Sequence, residues 1–293
     1  MTTTSYRGRF APTPSGPLHF GSLVAALVSW LDARAAGGEW LVRIDDLDKP
    51  REVPGAADRI LRQLDAFGLH WDQAVHYQHE RLDRYAAAVE QLLRQGDAFY
   101  CRLSRADLDA LGQRHPGISV AVTGAADAAV RLQVPDTPVC FEDLWQGRYC
   151  IDLQQAGGAF VIRRRDGLFA YQLACALDDS DDGISRVVRG YDLIDSSPRQ
   201  LCVLNALDRH APEYAHFPLA TDAHGNKLAK SSGARALDEA RAEQHLQQAL
   251  QWLGAPSPRA PVAEQLADAV RWWQQGARGW RRDAGPAPDL SLP

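Results

Sequence analysis

An α/β fold built on a parallel sheet is predicted by three features of this 293-residue chain. Strand, helix and strand patterns succeed one another before residue 45, and such a βαβ unit requires parallel strands joined by a right-handed crossover. Amphipathic helical stretches and short strands then alternate along the chain. Hydrophobic residues make up 45% and charged residues 24%, an ordinary globular balance in a chain long enough for a large core.

Each element has its own signal. Tyr6–Ala11 reads as a strand running into Pro12-Thr13-Pro14-Ser15-Gly16-Pro17, a loop made rigid by its prolines. Leu23, Val24, Leu27, Val28 and Leu31 then recur at helical spacing, and Gly37-Gly38 ends that helix. Glu39–Ile44 is the second strand. Two amphipathic helices follow. One carries Ile60, Leu61, Leu64 and Phe67 and stops at Gly68; the other carries Leu82, Tyr85, Val89, Leu92 and Leu93 and stops at Gly96. Ser104 with Asp107 forms a capping pattern. Periodicity is weak over 112–160, with strand-like pieces at Ala129–Val134, Arg148–Asp152 and Ala159–Arg163, so this region reads as an insertion. Phe169–Leu177 is predicted helical, Arg186–Gly190 a strand, and Arg199–Leu207, Ala236–Leu253 and Ala263–Gln275 helical.

Several function classes are excluded. No apolar run approaches the roughly 20 residues of a membrane span, and the N-terminus lacks the apolar stretch of a secretory signal. The five cysteines are widely spaced, with no C-x-x-C, which argues against a disulfide framework and for a reducing cytoplasm. The net charge of −5 gives no bulk attraction to nucleic acid. Only three of the 32 basic residues are lysine, yet Lys227 and Lys230 sit three apart. That pairing points to a place where a compact ammonium is needed rather than a planar guanidinium.

Two segments carry chemistry. In Arg9-Phe10-Ala11-Pro12-Thr13-Pro14-Ser15-Gly16-Pro17-Leu18-His19-Phe20-Gly21-Ser22, a strand end feeds a turn into a helix start. That is where a doubly wound sheet binds ligands, and where free N–H groups meet phosphate. In Lys227-Leu228-Ala229-Lys230-Ser231-Ser232, two ammonium groups can follow charge onto a departing pyrophosphate.

Together, His19-Phe20-Gly21-Ser22 and Lys227-Leu228-Ala229-Lys230-Ser231 resemble the HIGH and KMSKS signatures of class I aminoacyl-tRNA synthetases. Arg9–Pro12, Arg43-Ile44-Asp45-Asp46-Leu47-Asp48, Tyr171-Gln172-Leu173-Ala174 and Val188-Arg189-Gly190-Tyr191-Asp192-Leu193 resemble the glutamyl branch. The resemblance spans about residues 6–235. It is closest to the shortened members that place glutamate on the queuosine of tRNA(Asp), since only 236–293 follow the lysine segment.

The resemblance implies a Rossmann-type doubly wound sheet with an insertion and a small helical C-terminal part. The implied division is 1–98 and 161–235 for the two halves of the catalytic domain, 99–160 for a degenerate zinc-knob region, and 236–293 for the C-terminal part. It implies a glutamate site of Arg9, Phe10, Ala11, Pro12, Thr13, Ser15, Asp45, Tyr171 and Arg189. Arg9 pairs with the γ-carboxylate and Asp45 holds the α-ammonium. The ATP site would comprise Pro12, His19, Gly21, Ser22, Lys227, Lys230 and Ser231, with His19, Lys227 and Lys230 catalytic and Mg²⁺ accompanying ATP. The implied partners are glutamate, ATP and queuosine-containing tRNA(Asp), in a cytoplasmic monomer with no membrane attachment.

Two departures from the family pattern are visible. Asp45 stands where the family usually has Glu. The family's zinc knob keeps only Cys101, with His115 as a possible second ligand, so a knob packed without metal is expected. Trp272, Trp273 and Trp280 among Arg271, Arg278, Arg281 and Arg282 fit an RNA-gripping tail and a docked helix equally. The alternatives to glutamate transfer onto queuosine are a truncated glutamyl-tRNA synthetase charging a 3′ end, and a non-catalytic paralogue binding RNA or glutamate.

Overall fold

The computed structural model describes residues 5–221 and 236–276. The elements in chain order are β1 (Arg7–Phe10), α1 (Phe20–Ala35), β2 (Glu39–Ile44), α2 (Ala56–Ala66), β3 (His76–Tyr77), α3 (Leu82–Gln95), β4 (Ala98–Cys101) and α4 (Arg105–Ala110). There follow β5 (Ala129–Leu132), β6 (Val139–Asp143), β7 (Gly147–Ile151), β8 (Phe160–Arg163), α5 (Tyr171–Asp181) and β9 (Arg186–Gly190). The last are α6 (Ser196–Ala206), β10 (Glu213–Phe217), α7 (Ala242–Trp252) and α8 (Val262–Gln274).

The chain divides into two compact units. The first takes residues up to Tyr77, Ile184–Asp192 and the chain from Ala215; the second takes Gln78–Gly183 and Leu193–Tyr214.

In the first unit, β1 pairs in parallel with β2, and β2 with β3. On its other side β1 meets β9: Ser185 N–H donates to Arg7 O at 2.9 Å, so the two strands start level and end at one edge. β9 neighbours β10. β1, β2 and β3 form one sheet and β9 lies beside β10 in another; with β9 against β1, β1 stands between β2 and β9, the topological switch point where an open α/β sheet binds its ligand. Helix α1 lies against β1, β2 and β9 and buries Leu23, Val24, Leu27, Val28 and Leu31, the periodic set read from the sequence.

Helices α7 and α8 pack on α1. Trp273 is 1% exposed, and its Nε1–H donates to Asp32 Oδ1 at 3.1 Å. Buried Asp32 also accepts from Tyr6 Oη at 2.6 Å and Arg186 Nη1 at 3.1 Å. Burial and the Asp32 carboxylate push the Tyr6 phenol well above its ordinary range, which keeps it a donor. For Trp273 the structure decides the open reading in favour of a docked helix. Trp280, Arg278, Arg281 and Arg282 lie outside the described residues.

In the second unit, β4, β5 and β8 form an antiparallel sheet, and β6 pairs with β7 as a hairpin. Asp178, fully buried on α5, accepts from Gln78 Nε2 at 2.8 Å, Tyr85 Oη at 2.9 Å and Arg81 Nη1 at 3.1 Å, tying α5 to the start of α3. Ser104 and Asp107 cap α4 reciprocally, as their spacing predicts. One expectation is corrected here: Cys140 and Cys150 form a disulfide. The hairpin register sets them directly opposite each other with Cα atoms 4.1 Å apart, a proximity that a separation of ten residues does not reveal. No helix among the described residues is long and apolar enough to cross a membrane.

Candidate active site

The site residues of the first unit converge on the carboxyl edge of its sheet. Arg9 precedes the last residue of β1, Asp45 follows β2 directly, and Arg189 precedes the last residue of β9. These three strands are adjacent, so two guanidinium groups and a carboxylate come from one edge at the switch point. All three side chains are buried, at 5%, 7% and 5% exposure. Buried charges require partners. Asp45 Oδ1 accepts from Arg43 Nε at 2.7 Å, and Arg189 donates through Nε to His216 Nε2 at 3.0 Å.

The loop from Ala11 to Leu18 is held from several sides. Asp45 N–H donates to Pro12 O at 3.0 Å, Val53 N–H to Pro14 O at 2.9 Å, and Ser15 N–H to Thr13 O at 2.8 Å. Gly16 turns the chain at a φ of 126°, a conformation that L side chains rarely adopt. Leu18 N–H donates to Oε1 of fully buried Gln63 at 2.7 Å, and Gln63 Nε2 donates to Leu237 O at 2.9 Å. Leu237 N–H in turn reaches Leu18 O at 2.9 Å, and Ala236 bridges to His19. The chain that leaves the lysine segment is therefore stitched to the start of α1.

His19 is the N-cap of α1, and its Nδ1 accepts from Ser22 N–H at 3.3 Å. A ring nitrogen that accepts carries no proton, so neutral His19 holds its proton on Nε2, as a donor. Gly21 and Ser22 lie in the first turn of α1, where N–H groups lack intrahelical acceptors. The Phe10 side chain stacks on Trp40 in the core, centroids 6.2 Å apart, so it offers a ligand its backbone. Ala11, Pro12, Thr13 and Ser15 are half-buried. Tyr171 opens α5 in the second unit and is 40% exposed. Lys227, Lys230 and Ser231 lie outside the described residues.

The knob region brings Cys101 and His115 together, Sγ to Nε2 at 3.2 Å, both buried. His115 Nδ1 accepts from Gly117 N–H at 3.0 Å, which leaves Nε2–H to face the sulfur. Burial, and then the Arg131 charge, lower the His115 pKa to about 4. Among the described residues no three His, Cys, Asp or Glu side chains gather as a metal site. Two donors fall short of the four that a structural zinc takes, so the described residues of the knob do not fit that ion.

Residues 5–122 and 120–253 match the family described as "tRNA synthetases class I (E and Q), catalytic domain". The chain belongs to that family. Within these class I synthetases it is 50% identical over 271 residues to the Glutamyl-Q tRNA(Asp) synthetase of Pseudomonas aeruginosa PAO1, covering 92% of each chain. It is 47% identical over 295 residues to the protein of that name from Pseudomonas putida KT2440, covering 99% of this chain and 98% of the other. It is likewise 47% identical to the Synechococcus protein of that name, covering 90% and 93%. The fold matches a glutamate tRNA ligase crystal structure from Elizabethkingia meningosepticum with a TM-score of 0.79 at 23% identity. The match covers 91% of this chain, which spans 64% of the length of that synthetase.

Gln63 and His216 are site-supporting residues that pattern reading did not single out, and Arg43 was quoted only within its segment, with no role. Each is a polar side chain buried in the core, a placement that local pattern does not mark.

Proposed function

We propose that this chain activates glutamate with ATP to glutamyl-adenylate, without needing tRNA, and transfers the glutamyl group to the queuosine base in the anticodon of tRNA(Asp). The observation that carries this is identity of 47–50%, nearly end to end, with proteins named for that activity. The convergence of Arg9, Asp45 and Arg189 on the switch-point edge supports an amino-acid ligand with two carboxylates and one ammonium.

In this reading Arg9 receives the γ-carboxylate and Asp45 the α-ammonium, while Arg189 completes the pocket with hydrogen bonds from Thr13 or Ser15. Tyr171 is carried as a pocket residue on its motif match alone. Pro12, Gly21 and Ser22 line the nucleotide. An α-carboxylate oxygen of glutamate attacks the α-phosphorus, and pyrophosphate leaves. His19 Nε2–H donates to the α-phosphate oxygens, and Lys227, Lys230 and Ser231 balance the charge on the departing pyrophosphate. Magnesium supplies charge neutralisation for the ATP phosphates, and no described residue is assigned to it. A hydroxyl of the queuosine diol then attacks the adenylate carbonyl, and AMP departs. In this reading the chain acts as a monomer in the cytoplasm. The four stretches 1–98, 99–160, 161–235 and 236–293 remain our division of labour along the chain.

Labelled glutamate, ATP and purified chain are offered to tRNA(Asp) with and without queuosine, and to tRNA(Glu). Label is expected on the modified tRNA(Asp) alone, within the anticodon fragment after nuclease digestion. Label at a 3′-terminal adenosine would instead establish a truncated glutamyl-tRNA synthetase.

A further inference from the structure

A guanidinium presents five N–H donors in a fixed plane and can meet a carboxylate bidentately in two ways, along the Nε/Nη edge or across Nη1 and Nη2. In Arg189 the Nε–H is already committed: it donates to His216 Nε2 at 3.0 Å. That bond fixes the plane and the rotation of the guanidinium. Both residues are deeply buried, Arg189 at 5% and His216 at 0% exposure, and they stand on the neighbouring strands β9 and β10. Arg keeps its protons, so Nε2 of His216 must be the lone-pair nitrogen, and the neutral ring carries its proton on Nδ1.

We propose that His216 is a positioning residue for glutamate binding: by accepting from Nε it locks the Arg189 guanidinium in the orientation in which it meets a substrate carboxylate. This rests on the glutamate reading given above. A neutral imidazole suits the task for a physical reason. It aligns the guanidinium without adding a negative charge beside it, as Asp or Glu at position 216 would, and so does not compete with the incoming carboxylate. Its ring has only two side-chain torsions and sits on a strand, so the acceptor is held in place.

Glutamate-dependent ATP–pyrophosphate exchange is measured on the full chain as wild type, His216→Ala, His216→Gln and His216→Asn. Gln places its amide oxygen near the position of Nε2, whereas the Asn amide reaches only about as far as Nδ1. His216→Ala and His216→Asn are expected to raise the KM for glutamate about tenfold or more, with the KM for ATP within about twofold of wild type and Gln restoring most of the loss. An unchanged glutamate KM in His216→Ala, or equal behaviour of Gln and Asn, would overturn the proposal while leaving the glutamate reading intact. A wild type that exchanges no pyrophosphate with glutamate would instead remove the reading itself. Nitrogen-15 NMR of the His216 ring in the wild-type chain needs neither substrate nor variant: the Nδ1–H tautomer is expected, and the Nε2–H tautomer would refute the geometry.

Discussion

Asp45→Asn separates charge from shape at the centre of the candidate site. Asp45 is 7% exposed, and its Oδ1 lies 2.7 Å from Arg43 Nε. Asn keeps the volume and an oxygen that still accepts from Arg43, so what disappears is the negative charge. Within the fold, a hydrogen bond between charged partners becomes one with a neutral acceptor, a loss of about 1–1.5 kcal/mol. In a chain of this size that lowers Tm by about 2–6 °C. At the ligand, the α-ammonium of glutamate loses a charged acceptor worth about 1.5–3 kcal/mol, which converts to a rise in glutamate KM of about 10- to 160-fold. The interaction is present before and during reaction, so kcat should hold and the effect should fall on KM. Pyrophosphate exchange at varied glutamate and then varied ATP separates the two constants. A glutamate KM within about twofold of wild type, or an ATP KM rising in step with it, would refute the assignment of Asp45 to the ammonium.

Other expectations follow from the same chemistry. Lys230→Ala should slow adenylate formation about 100-fold in single-turnover measurements, by removing charge stabilisation of the transition state; an unchanged rate would make the lysine segment a surface feature. Trp273→Phe keeps the apolar ring but strips Asp32 of one of its three donors, so urea unfolding should show a loss of about 1–3 kcal/mol, and an unchanged midpoint would mean that the helix docks without that bond. His115, with a pKa of about 4 in the folded chain against 6.5 unfolded, takes up its proton first in the unfolded state as pH falls. Stability should therefore decline between pH 6.5 and about 4, and His115→Gln should flatten that slope; an unaltered slope would clear His115 of the effect. Metal analysis of the purified chain should find well under one zinc per molecule, and stoichiometric zinc lost in Cys101→Ser would overturn the two-donor argument.

The fold class and the positions of several candidate-site residues were legible along the chain because local rules generate them. A βαβ unit announces itself by a change of hydrophobic period, and a Pro-rich turn ahead of an apolar helix places His19 at its N-cap. Arg9 and Asp45 are legible for the same reason, since both stand at the carboxyl ends of strands of that unit. Some strands escaped: β3 has two residues, too few to show a period, and β4, β6 and β10 carry no strand reading in the sequence analysis. The helix expected from Ala236 begins instead at Ala242, after a 3₁₀ turn, Glu239–Arg241, that Asp238 caps by accepting from Ala240 N–H.

Tertiary structure alone decided which distant strands lie together. The sequence by itself determined that Arg189 ends a strand; it did not determine that this strand lies beside β1, 178 residues away by the Arg7–Ser185 hydrogen bond. Nor does any local pattern foretell that His216 meets Arg189, that Gln63 joins Leu18 to Leu237, or that Cys140 faces Cys150. Hydrophobic period records which face of an element is buried, because burial is a property of each residue in turn. Pairing between buried polar groups records which elements meet, and that depends on the register of whole strands packed against one another. Local sequence therefore specified the elements and the loop that presents His19, while the packed sheet supplied the partners that hold the charges at its edge.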